Sequence, residues 1–184
     1  LRSSIEGANR TVNRFEVFPS IHVGYTLPHE QKLTFAYSYR TNRPELFYME
    51  PYITYRDYYT AEIGNPDIRP EYIHSYELNY KKNIGEQVLQ SSLFYRSRKD
   101  KIERLRVPYE AGVTLDSMAN VGNDHALGME LSGQFIVNKW WNLNVNGNVY
   151  YYKVVNNINA GGKEETSTNY DITVNNLLRI CKNT

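Results

Sequence analysis

A chain of 184 residues has room for one domain, and with 41% hydrophobic residues it is not a disordered polymer. Lysines and arginines number 21 against 20 acids, a net charge of +1, which offers no basic face to a nucleic-acid partner. The single cysteine, Cys181, excludes an internal disulfide framework, and no run approaches the ~18 apolar residues of a membrane-spanning helix.

A membrane is not thereby excluded, because barrel strands alternate and stay invisible to a hydropathy window. The unusual count is 17 tyrosines against 6 phenylalanines and 2 tryptophans. An apolar ring with a wet hydroxyl suits strands and membrane–water boundaries.

Period-two alternation dominates and predicts about seven strands. The first, about 14–26, sets Phe15, Val17, Ile21, Val23 and Tyr25 against Glu16, Ser20, His22 and Gly24, with Pro19 marking a break. The second, about 32–41, sets Leu33, Phe35, Tyr37 and Tyr39 against Thr34, Ala36, Ser38 and Arg40. The third, about 74–82, carries Tyr76, Leu78 and Tyr80 on its apolar side. The fourth, about 88–98, carries Leu89, Leu93 and Tyr95, with Phe94 out of phase. The fifth, about 125–136, carries Leu127, Met129, Leu131 and Phe135. The sixth, about 142–154, opposes Leu143, Val145, Val149 and Tyr151 to a row of Asn142, Asn144, Asn146 and Asn148. A weaker seventh covers about 170–180.

The connections are predicted to alternate in length. Leu27–Gln31, Asn83–Glu86 and Asn138–Trp140 are short; Thr41–Ile73, Lys99–Asp124 and Asn156–Thr168 are long. Outer-membrane barrels sort short turns to one end and long loops to the other. Parity predicts that Leu27 pairs with Gln31, and that a two-residue turn at Ile84-Gly85 sets Tyr80 opposite Leu89 and Tyr76 opposite Leu93. The fold class is therefore all-β: an antiparallel up-and-down meander, an open segment of a larger transmembrane β-barrel, with residues 1–184 as one partial barrel unit. Its apolar rows should face acyl chains and its polar rows a watery lumen. Alone, such a piece should be an open curved sheet with its first and last strands apart, prone to aggregate.

The stretch from Asn42 to Tyr80 is the most specific. It reads Asn42-Arg43-Pro44, then Glu50-Pro51-Tyr52, then Gly64-Asn65-Pro66-Asp67-Ile68-Arg69-Pro70-Glu71 ahead of Glu77-Leu78-Asn79-Tyr80. This resembles the C-terminal barrel half of TonB-dependent receptors, especially the outer membrane protein β-barrel family. Those proteins carry a similar Arg-Pro, Asn-Pro-Tyr or Asn-Pro-Phe, and Gly-Asn-Pro-x-Leu-x-Pro-Glu; here Glu50 replaces the usual Asn and Ile68 the usual Leu. Leu93-Phe94-Tyr95-Arg96, Asn120-Val121-Gly122 and Gly128-Met129-Glu130-Leu131-Ser132-Gly133 add to the likeness, which covers most of Arg14 to Ile180.

The resemblance implies an energised outer-membrane importer of a nutrient such as a siderophore, glycan or peptide. It also implies an N-terminal plug and a TonB-contacting motif. Neither is visible here, and the chain reads as a fragment. The expected partners are outer-membrane lipid, the TonB energising complex through the plug, a small or oligomeric nutrient and a surface lipoprotein. The competing readings are a soluble all-β binding module with a Tyr-rich recognition loop, and an outer-membrane enzyme, for which no nucleophile, base and acid cluster can be named. No cofactor or catalytic role is expected, and His22, His29, His74 and His125 show no metal-ligand spacing.

Within the long loop, Arg43, Tyr48, Tyr52, Tyr55, Arg56, Tyr58 and Tyr59 are the candidate ligand contacts, by stacking and charge-assisted hydrogen bonds. The alternative is an aromatic loop packed on itself. Pro44, Gly64, Asn65, Pro66, Pro70 and Glu71 read as turn formers that set strand entry.

Overall fold

The computed structural model describes residues 15–156 and 163–179. The Gly161-Gly162 pair and Cys181 lie outside them. Among the described residues nine strands form one sheet: β1 (Ser20–Leu27), β2 (Gln31–Asn42), β3 (Ile53–Tyr55), β4 (Thr60–Ile63), β5 (Glu71–Ile84), β6 (Gln87–Glu110), β7 (Val113–Asn138), β8 (Trp141–Asn156) and β9 (Lys163–Leu178). Seven of them run as an antiparallel meander in the order β1-β2-β5-β6-β7-β8-β9, and β1 and β9 do not pair with each other. The sheet is open.

The two faces differ as alternation requires. Thr34, Glu77, Arg96, Glu130, Asn148 and Asn169, one from each of six strands, line a concave space of about 1010 Å3. The opposite, convex face carries the apolar parity. One register row across seven strands reads Val23, Phe35, Leu78, Leu93, Met129, Val149 and Tyr170. Most of these side chains are exposed, and the only buried hydrophobic residues among those described are Ala61, Ile68 and Val121. A soluble sandwich would cover the apolar row with a second layer. Here it is bare, as a lipid-facing surface is.

The apolar band also leans. Its outer edge runs from Tyr39 on β2 through Tyr95, Leu127 and Tyr151 to Tyr170 on β9, whereas the register row of Tyr39 ends at Thr166. A drift of four residues is about 13 Å along the strands, against about 24 Å across five strand spacings. That is a slope of about 30°, close to the strand tilt of outer-membrane barrels.

Two expectations are corrected. Leu27 does pair with Gln31. The next turn, however, is Gly85-Glu86, not Ile84-Gly85: Ile84 pairs with Gln87, so Tyr80 faces Ser91 and Tyr76 faces Tyr95. Gly85 takes φ +58 as first central residue, the position where a two-residue hairpin turn demands glycine. The slip is two residues, so every side chain keeps its face.

The second correction concerns the stretch from Lys99 to Asp124, expected as a long loop. It is strand almost throughout, closed by Ala111-Gly112 between β6 and β7. Long reach is therefore made by a strand extension rather than by loop length. The alternation expected from Leu89 onward is interrupted because Asp100 takes φ 57 and the β6–β7 register shifts between Arg98 and Ile102. At the ends, β1 begins only at Ser20 and leaves Phe15 and Val17 outside it, while β9 already begins at Lys163.

Phe94, out of phase in the sequence, also finds its reason. It shares a concave-face row with Gly128 and Tyr150. A Cβ on Gly128 would sit 2.5 Å from Tyr150 Cβ and 2.6 Å from Phe94 Cζ. The rings cover the strand where glycine has no side chain of its own.

Candidate functional site

Chemistry concentrates where the long connection from β2 to β5 meets the β6–β7 extension. The connection makes a 3-10 turn at Leu46–Met49, then the β3–β4 hairpin. β4 pairs in parallel with β7 from Thr60↔Thr114 to Ile63↔Ser117, along the edge that β8 leaves free beyond Asn156↔Gly122. Thr114 anchors it, donating N–H (2.8 Å) and hydroxyl (3.2 Å) to the Tyr59 carbonyl.

This docking sorts residues onto two faces. On one, Glu62 lies beside Asp116, with Arg104 and Arg106 opposite on β6, and Tyr48, Glu50 and Gly64 close over them. Arg106 grips Asp116 with two hydrogen bonds, Nε at 2.6 Å and Nη2 at 2.8 Å. Arg104 bridges Asp116 and Glu62 at 3.6 Å each, and Arg56 reaches Glu62 at 2.5 Å. The Arg106 hydrogen bonds, with the charges of Arg106, Arg104 and Arg56, hold the Asp116 carboxyl below the usual carboxylate range against its own desolvation. On the other face, Tyr55 continues through Ala61 and Leu115 to Val107, and Ile53 through Ile63 and Ser117 to Leu105.

The candidate ligand residues are thus not one cluster. Arg43 pairs with Glu16 at 3.3 Å, and Arg56 with Glu62. The Tyr48 ring lies edge-on to Phe47 and its carbonyl accepts the Asn65 N–H, while the Tyr52 hydroxyl donates to Glu50. Tyr55, in register with Ala61, sits on the face away from Glu62, the partner of Arg56. Tyr58 (93% exposed) and Tyr59 (72% exposed) present their rings to solvent at the hairpin tip.

The turn-forming stretch makes specific contacts. A Cβ on Gly64 would lie 2.5 Å from the Glu50 backbone N and O, so only glycine permits that approach. Asn65 donates Nδ2 to the Met118 carbonyl at 3.1 Å and accepts from Asp67 N–H at 3.0 Å. Pro66 follows, and Ile68 is buried. Arg69 N–H donates to Asn120 Oδ1 at 2.8 Å. Pro44 is half-buried at the other end of the connection, and Pro70 leads directly into Glu71, which is buried at the start of β5.

Sequence reasoning missed the charged groups gathered beneath this connection: Arg98, Lys101, Arg104, Arg106, Asp116 and Asp124. A readable signal existed, since Arg96, Arg98, Arg104 and Arg106 recur at even positions. Lys101 donates to Tyr152 at 3.0 Å and to Glu103, and lies 3.7 Å from Asp124. Partial burial disfavours its ammonium, but those hydrogen bonds outweigh this and raise its pKa above that of free lysine.

The Asp116 grip gives a pH prediction. A carboxyl whose folded pKa lies below the ordinary 3.8 stabilises docking above that value and loses the contribution as pH falls through the lower one. Hydrogen exchange at Thr114 N–H, corrected for intrinsic rates, is expected to show full protection at pH 5 and a loss below about 3.8 that Asp116→Asn abolishes.

With this geometry in view, comparison with known proteins is decisive. The model of the outer membrane protein beta-barrel family matches residues 2–184. The chain belongs to that family. It is an outer-membrane protein, and its sheet is a piece of barrel wall. Among solved structures it is similar to the siderophore receptor PirA from Pseudomonas aeruginosa (16% identity, TM-score 0.60, 85% of this chain and 34% of that one). It is also similar to a variant of the ferric enterobactin receptor PfeA from Pseudomonas aeruginosa in complex with enterobactin (14%, TM-score 0.53, 90% and 33%). The copper transporter OprC is a third (11%, TM-score 0.54, 89% and 32%). At these identities the likeness is one of fold, and this family chain spans about a third of the length of those structures. No curated protein sequence matches it.

Proposed function

We propose that this family member is a barrel-wall segment of a TonB-dependent outer-membrane importer of a nutrient such as a siderophore, glycan or peptide. The observation that carries the reading is the two-faced sheet: an apolar convex side, a polar concave side, and long reach at one end only. The fold shared with PirA, PfeA and OprC supports it. TonB contact falls to a plug in the part of the receptor that this chain does not span, and a surface lipoprotein is a further partner. No catalytic role is assigned.

Within this reading the β3–β4 hairpin is the ligand-contacting element. Tyr55, Tyr58 and Tyr59 offer free ring faces, and Arg43, Arg56, Tyr48 and Tyr52 hold the loop. Pro44, Gly64, Asn65, Pro66, Pro70 and Glu71 shape it.

The test uses cells expressing the full receptor, supplied with ferric enterobactin, a maltodextrin and a tripeptide as probes. One probe should enter in a TonB-dependent manner. Tyr55→Ala with Tyr58→Ala should then lower its uptake about tenfold, the loss of roughly 1.4 kcal/mol of ring contact. Unchanged uptake through an intact barrel would remove the hairpin's role. TonB-independent entry of all three would remove the importer reading.

A further inference from the structure

One register row starts at the outer edge of the apolar band, at Tyr39, and steps beyond that edge across the sheet, by two residues at His125 and four at Thr166. It reads Tyr39, His74, Ser97, His125, Lys153 and Thr166 on β2, β5, β6, β7, β8 and β9. All six share the convex parity, and every one carries a hydrogen-bond donor. The row directly beneath is Tyr37, Tyr76, Tyr95, Leu127 and Tyr151, rings and methyls suited to acyl chains.

Two elements of the donor row repeat. Tyr37 Oη lies 3.0 Å from His74 Nδ1, and Tyr95 Oη lies 3.0 Å from His125 Nδ1. Each histidine is stacked on its tyrosine, with interplanar angles of 22° and 12°. His74 is further packed on Tyr39 at 4.4 Å. A tyrosine hydroxyl donating to Nδ1 selects the tautomer whose proton sits on Nε2. The same arrangement thus occurs twice, two strands apart, about 10 Å along the row.

We propose that this row is a docking site for phosphate-bearing headgroups of outer-leaflet lipid, with His74 and His125 as its two anchors. Depth selects the ligand. A molecule with an acyl tail on the tyrosine–leucine row places its headgroup one row further out, against the Nε2–H donors. Charge agrees. The row holds no carboxylate, Lys153 belongs to it, and Lys99 is exposed just beyond. Two carboxylates flank the ends of the row: Glu164 pairs with Lys153 at 2.8 Å, and Glu16, held by Arg43 at 3.3 Å, accepts the hydroxyl of Tyr72, which stacks on Tyr39. N–H donors to phosphate oxygens form the stronger, charge-assisted class of hydrogen bond.

The experiment takes the full receptor in dodecyl maltoside. It is incubated with phosphatidic acid, with diacylglycerol of the same acyl chains, or with inorganic phosphate, and the adducts are counted by native mass spectrometry. Phosphatidic acid is expected to be retained about tenfold over diacylglycerol. His74→Phe with His125→Phe keeps both rings and should remove most of that preference, with barrel mobility on a gel unchanged. Tyr37→Phe with Tyr95→Phe, which frees Nδ1 and keeps every ring, should remove part of it. Millimolar inorganic phosphate should leave the lipid adducts in place. Equal retention of both lipids, a preference untouched by the histidine variant, or displacement by inorganic phosphate would overturn the proposal.

Discussion

Leu93→Arg is expected to destabilise the full receptor in a bilayer by about 2–4 kcal/mol, whereas Gln90→Arg on the same strand should stay within about 0.5 kcal/mol. Leu93 sits mid-row on the convex face, flanked in register by Leu78 and Met129. A guanidinium there meets hydrocarbon near the bilayer midplane. Gln90 lines the concave space, where an added charge meets water and polar neighbours. Denaturant unfolding from vesicles gives both values as midpoint shifts at constant slope. A soluble sandwich would penalise Leu93→Arg as well, through burial. The discriminating result is its depth dependence: Leu105→Arg, on the extension ten residues beyond Tyr95, should cost less than half as much. Equal penalties at both positions would remove the lipid-facing assignment.

The meander was legible because each strand alternates over at least six residues and one face must be apolar throughout. Register was legible only to the nearest two residues. Parity fixes the face, but the turn fixes the pairing, and Ile84-Gly85 and Gly85-Glu86 satisfy parity equally. The extension was illegible because Lys99, Lys101 and Glu103 put charge on the apolar parity around the irregular register at Asp100; beyond it Leu105 and Val107 resume the phase of Leu93 and Tyr95 against Arg104 and Arg106. The β4–β7 pairing has no local signal. Thr60-Ala61-Glu62-Ile63 and Thr114-Leu115-Asp116-Ser117 are short, and only the chain's route over the extension brings them together. For the same reason the loop's aromatic and basic residues read as one cluster in sequence and separate onto two faces in space. What composition could not convey is that Arg43 and Arg56 already have carboxylate partners.

The buried carboxylate at Glu71 joins three strands, and its removal should be the costliest single change at the loop. The side chain is 3% exposed. One oxygen accepts Asn42 Nδ2 at 2.9 Å, fixing the end of β2. The other accepts the Ile102 N–H at 2.7 Å, satisfying β6 just past its irregular register, and lies 3.7 Å from Arg98 Nη1. Glu71→Ala leaves a part-buried backbone donor and an amide without these acceptors, and leaves Arg98 paired with Asp124 at 3.6 Å. Such losses run at about 1–3 kcal/mol per orphaned group, and Arg98 is partly solvated, so about 3 kcal/mol overall is expected. Glu71→Gln keeps one acceptor, surrenders the charge, and should cost about 1 kcal/mol. Hydrogen exchange locates the effect: Ile102 N–H should lose protection in the alanine variant and keep most of it in the glutamine variant. If both variants expose Ile102 alike, the charge itself, rather than the acceptor geometry, organises the junction. If neither does, the loop is held by the Asp116 grip alone, and the pH step at Thr114 becomes the stronger probe of its attachment.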